Sequence, residues 1–191
     1  MTMEVYWMLE CLRDLDRGGR SIESWPTVPG VESWISGAPI SDDVRGPIQL
    51  FWDPEDEQGP SQPMYKAGIP MMTRALYEAL VEAGVDNLQT VPVEVSSRST
   101  QERTRDYVAF NVVGIVRAVD WKSSPPRYPG TPELIAAGLN GVTLLPGAAH
   151  GLLLFRLAEN VGAIVIHNRV RMAIEGRFAG LTFVRPEDWA G

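Results

Sequence analysis

The chain is poor in metal-binding and redox-active side chains: one cysteine, Cys11, and two histidines, His150 and His167. A lone cysteine excludes an internal disulfide framework and suits a reducing compartment. The two histidines lie far apart and far from the cysteine, so no metal site at recognisable spacing is present and no cofactor is expected. No apolar window approaches the roughly 18 uninterrupted residues that a membrane-spanning helix needs. The first residues, MTMEVYWMLE, lack a basic stretch followed by an apolar one, which predicts a cytoplasmic protein with no membrane partner. Positive charge is also in deficit. Seventeen Lys and Arg stand against 24 Asp and Glu, for a net charge of −7, which argues against a nucleic-acid partner.

Catalytic signatures are missing too. There is no G-x-S-x-G elbow, no phosphate-cradling glycine loop, no H-E-x-x-H and no dinucleotide fingerprint. The acidic run Asp53-Pro54-Glu55-Asp56-Glu57 has neither the spacing nor the glycine of a calcium loop. No catalytic residue and no enzymatic activity are expected.

What the chain does have is enough apolar residues for a core: 45% of its 191 residues are hydrophobic. A chain of this length buries roughly 70% of its unfolded surface. The most informative stretch is Arg105 to Ser124, RDYVAFNVVGIVRAVDWKSS. Between Tyr107 and Val119 it is apolar or β-branched except at Asn111, Gly114 and Arg117. That pattern predicts one central strand buried on both faces. It ends on Asp120, Lys122, Ser123 and Ser124, and a buried carboxylate there needs a partner. Arg156, alone inside Leu154-Phe155-Arg156-Leu157, is the expected one, so that Asp120, Ser123 and Arg156 form a structural polar cluster.

Around this strand, residues 3–12 fit an edge or second strand with a period that also allows a helix, and the spacing predicts a strand over 48–52 and a helix from Pro70 to Ala83 stopped by Gly84. Pro92 marks Leu88–Val95 as an edge strand or the entry to one. A short helix is expected at Thr131–Gly138 and further strands at 141–145, 152–157 and 163–166. A second short helix at 168–175 and a last strand at 181–184 complete the set. Strands in runs with few helices define an α+β fold, with a mixed, mostly antiparallel sheet, a few flanking helices and a long irregular N-terminal region. The expected organisation is a single domain over 1–191. Residues 1–63 form a Pro/Gly-rich acidic extension, pinned by Trp25 and Trp34, and residues 64–185 form the core.

The charge is uneven. Asp42, Asp43, Asp53, Glu55, Asp56 and Glu57 face only Arg45 between residues 42 and 65. Such a loop can steer a basic partner.

The order of these elements resembles a family of bacterial immunity proteins found beside polymorphic toxins, the myxobacterial-type immunity domain, formerly a domain of unknown function. The resemblance is carried by LYEALVEAGVDNLQTVPVEV, by YVAFNVVGIVRAVDWKSS with Asp120 and Ser123, and by LLLFRL around Phe155 and Arg156. It continues in GAIVIHNRVRMAIEG and the GLTF that follows, and it covers residues 64 to 185. It implies a non-enzymatic protein that binds and neutralises a cognate toxin, with Asp120, Ser123 and Arg156 keeping the fold. The expected toxin contacts are Trp52, Asp53, Glu55, Asp56 and Glu57, an aromatic anchor among carboxylates suited to a basic toxin. The alternative is a small-molecule-binding or hydrolytic domain with a cleft near Asp120, Arg156 and His167.

Overall fold

A computed structural model describes residues 5–11, 19–128, 130 and 132–191. Its strands are β1 (Tyr6–Cys11), β2 (Ile48–Phe51), β3 (Met64–Tyr65), β4 (Met71–Thr73), β5 (Leu88–Ser96), β6 (Arg103–Thr104), β7 (Tyr107–Val112), β8 (Ile115–Val116), β9 (Leu154–Leu157), β10 (Ile164–His167) and β11 (Leu181–Val184). Two helices, α1 (Arg74–Glu82) and α2 (Asn168–Ile174), and a 3-10 turn at Pro186–Asp188 complete the set. The fold is α+β, as the sequence pattern predicts.

The strands form two mixed, mostly antiparallel sheets. The first has the order β11-β1-β10-β9-β8, with β8 parallel to β9. The second runs β2-β5-β7-β4-β3, with β2 parallel to β5 and β6 also paired to β5. A middle core joins both sheets and both helices through Leu9, Met72, Leu76, Leu80, Phe110, Ile164 and Val170, among others. The outer face of the first sheet packs Met8, Phe155 and Val165 against Val119, Leu139 and Val142. The outer face of the second packs Val91, Val93 and Tyr107 against Ile22, Ile40 and Trp52.

Strand β7 shows why its sequence lacks polar alternation. All six of its residues are buried. Val108, Phe110 and Val112 enter the middle core, while Tyr107 and Ala109 enter the outer one. The apolar run does not continue as one strand, however. Gly114 takes a left-handed φ of +91° and donates its N–H to Gly37 O at 2.7 Å. The chain then crosses to the other sheet as β8. Glycine carries no Cβ penalty in that conformation, so one apolar stretch serves two sheets.

Other boundaries move for local reasons. Pro70 does not start a helix: Met71–Thr73 is strand β4, and the Thr73 hydroxyl caps α1 by accepting from Leu76 N at 3.3 Å. Strand β5 is interior rather than an edge, since it pairs with β7 and with β2. Pro92 ends its ladder with β7 and stands one residue before the β2 ladder begins at Val93. Its missing donor therefore falls at a junction. The helix expected near 131–138 is absent from its described residues; Ile135 there is left-handed, at φ +71°. The strand expected over 141–145 is reduced to a single bridge, Val119 to Leu144.

The irregular segment after residue 19 is fastened to the second sheet by polar side chains. Asn111 Nδ2 donates to Ala38 O at 2.9 Å, and Gln89 exchanges two hydrogen bonds with the backbone of Ile40. Trp25 and Trp34 pack on the same outer core, in the anchoring role expected of them.

Candidate functional site

Trp52 was the expected exposed anchor of the acidic loop, and the structure corrects this. It is 1% exposed, at the centre of the outer core, with the Tyr107 ring at 6.0 Å and the Arg20 guanidinium at 5.3 Å. The reason is the bridge between Ile22 and Trp52, which lays the N-terminal segment over the indole. An interface anchor must be reachable, so Trp52 does not serve as one.

The carboxylates beside it divide into two sets. Asp53 accepts from Glu55 N at 3.0 Å, and Asp56 accepts from Ser21 N at 2.9 Å and Ser21 Oγ at 2.7 Å. Glu57 is buried and accepts from Ser97 Oγ at 2.7 Å and from Ser99 Oγ. The Ser99 and Ser97 hydroxyls, in that order, hold its carboxyl below the usual range, because they stabilise the charged form. Arg20 adds a clamp, with a two-pronged ion pair to Glu102 at 2.7 and 3.2 Å and a hydrogen bond to Gly59 O at 3.0 Å. Asp53, Asp56 and Glu57 therefore fix the loop. Glu55 is exposed, as are Asp42 and Asp43 further up the chain, and no described cation pairs with these three. The result is a shaped loop that presents negative charge outward.

The expected polar cluster is only half assembled. Asp120 accepts from Ser123 Oγ at 2.9 Å and from Lys122 N at 3.1 Å, a local turn at the surface. Arg156 is not its partner. The guanidinium is 1% exposed in the middle core, donates once to Val161 O at 2.8 Å and lies 5.9 Å from the Phe110 ring centre. Its Nε and Nη2 have no hydrogen-bond partner, and among the described residues no carboxylate pairs with it. Burial alone pushes its pKa down to about 10.

Strand alternation explains the separation and also removes the alternative cleft. Arg156 stands opposite Ile164 in the β9–β10 ladder, on the face that enters the middle core. His167, three residues further, belongs to the opposite face, where its ring meets Tyr6 at 5.2 Å. Its Nδ1 accepts from Arg169 N and caps α2. Arg156 and His167 thus sit on different faces of one sheet and share no cleft.

Sequence reasoning passed over Glu159, which is fully buried. Its carboxylate accepts from Val119 N at 3.1 Å and Ala118 N at 3.4 Å, tying the segment after β8 to the end of β9. An acid inside the otherwise apolar LFRLAENVGAIVI was the available signal. Among the described residues no helix is long and apolar enough to cross a membrane.

No known family model matches the chain, and no curated protein matches it.

Proposed function

We propose that the protein is an immunity protein that binds a cognate bacterial toxin stoichiometrically and neutralises it without catalysis. The motif order over residues 64–185 resembles the myxobacterial-type immunity domain, and the acidic loop supports the reading from the surface side. The observation that carries most weight is the division of the loop's acids. Asp53, Asp56 and Glu57 are held by Ser21, Ser97, Ser99 and the Glu55 amide, while Asp42, Asp43 and Glu55 face outward. The turn fixed in this way loses little conformational entropy on binding, and its outward Glu55, together with the exposed Asp42 and Asp43 that precede β2, attracts a basic surface. A basic toxin, such as a nuclease, fits this charge.

The test is a pull-down from cells that also express the adjacent gene. A stable one-to-one complex and protection from killing are the expected results. A folded preparation that neither protects nor captures the adjacent product would end the proposal.

A further inference from the structure

A cavity of about 1190 Å³ opens on the outer side of the first sheet, away from the acidic loop. Beneath it lie the buried rings of Tyr6 and Phe155, which meet edge-on with centres 5.5 Å apart. The Tyr6 hydroxyl is held by donation to Leu152 O at 3.1 Å. One wall carries Leu144, Leu145 and Ala149, and the opposite one Val5 and Pro186. The first wall is pre-formed. Ala148 N bonds Leu145 O, His150 N bonds Gly147 O, and Leu152 N bonds Ala149 O, through left-handed turns at Gly147, His150 and Gly151. Leu145 and Val5 leave large parts of their side chains exposed across the opening, at 43% and 45%.

The charge of the lining restricts what fits. Among the described residues that line the cavity, Arg185 and Glu187 carry the ionised side chains, and they face each other at 3.5 Å. Their charges cancel. A charged ligand would be drawn to one and repelled by the other. An apolar cavity with a few polar groups at its mouth is the usual form of a small-molecule site.

We infer that this cavity binds an uncharged, apolar organic molecule, with its body between Leu145 and Val5 and a hydrogen-bonding group at the mouth. Thr143, His150, Arg185 and Glu187 offer donors and acceptors there. The inference does not rest on toxin binding, and it places the ligand away from Asp120, Arg156 and His167.

Nile red, a neutral planar dye whose emission shifts blue in apolar surroundings, is the probe. The full chain is expected to bind one dye per molecule saturably. Amide shift changes in a ¹⁵N spectrum should be confined to residues 5–7, 118, 142–151, 155 and 185–187. Thr143→Trp, which fills the cavity from an exposed position, and Leu145→Asp, which charges its wall, should each weaken binding about ten-fold or more. Met172→Asp, on the exposed face of α2, should leave it unchanged, and anionic anilinonaphthalene sulfonate should bind more weakly than Nile red. Absence of saturable binding, undiminished binding by both cavity variants, or shift changes concentrated outside the cavity lining would overturn the inference. Should either variant lose its cooperative melt, the shift map of the unaltered chain decides the matter alone.

Discussion

Asn111 on β7 stands directly opposite Gln89 on β5 and donates to its Oε1 at 3.2 Å. These are the two polar side chains that reach through the outer face of the second sheet to hold Ala38 and Ile40. The Asn111 Nδ2 is satisfied by the Ala38 carbonyl and by Gln89, while its buried Oδ1 has no hydrogen-bond partner.

Asn111→Leu should therefore destabilise the protein by about 1–3 kcal/mol, because it strands the Ala38 carbonyl and part of Gln89. Limited proteolysis should cut first between residues 19 and 47. Resistance equal to that of the unaltered chain would show that the segment is held by its tryptophans instead.

Arg156→Met is expected to stabilise. Desolvation in the folded state lowers the guanidinium pKa from its ordinary value to about 10. A depressed pKa on a base means that the charged form is penalised by folding. The penalty is complete below pH 10 and is relieved as pH rises from about 10 towards the ordinary arginine value. It amounts to about 3 kcal/mol by the usual conversion. Methionine removes the charge and keeps most of the volume, so a gain of about 1–3 kcal/mol is expected, minus the lost bond to Val161 O. The midpoint of thermal unfolding at pH 7 is the readout, and a fall would mean that the guanidinium has a stabilising partner.

Glu57 should contribute to acid sensitivity. Its carboxyl titrates below the ordinary 4.5 in the folded state. Its stabilising contribution is thus present above pH 4.5 and is lost as pH falls through the lower folded value. Glu57→Gln should lower stability at pH 7 and make the acid limb of the stability curve shallower. An unchanged limb would show that the Ser97 and Ser99 bonds form equally well with an amide.

The two sets of acids should behave differently in binding. Replacing Asp42, Asp43 and Glu55 with Ser or Asn should slow association with a basic partner and flatten its salt dependence, with little effect on stability. Asp56→Asn should instead loosen the loop around Ser21 and change stability first. Equal association rates across both sets would remove the loop from the interface.

Gly68 has a φ of +61°, and a Cβ there would lie 2.2 Å from the Trp25 ring. Gly68→Ala should cost more than about 1 kcal/mol and should change the near-ultraviolet circular dichroism of the tryptophans. Retention of both would show that Trp25 can shift without loss.

Much of the fold was legible because it depends on local pattern. Strands within 107–119, at 152–157 and at 181–184, and a helix at 168–175, follow from residue type and spacing alone, and the structure has them at Tyr107–Val112, Leu154–Leu157, Leu181–Val184 and Asn168–Ile174. The misplaced helix start at Pro70 shows a competition between two local signals, proline at a first turn and threonine as a cap, which pairing of Met71 and Met72 with β7 resolved. The expectation of Trp52 as a surface anchor failed for a different reason. Burial of an aromatic depends on what covers it, and the cover here comes from residues about 30 positions earlier in the chain.

The sequence by itself determined the α+β class, the sign and location of the excess charge, and most strand identities, because each follows from composition or from a period of two or 3.6 residues. Only the tertiary structure decided that the run after Gly114 belongs to another sheet, that Arg156 and Asp120 never meet, and that the acidic loop turns Glu57 inward and Glu55 outward. Those outcomes depend on which distant segments meet and on which face of a strand a residue occupies, and that pairing is set by long-range packing rather than by any neighbour in the sequence.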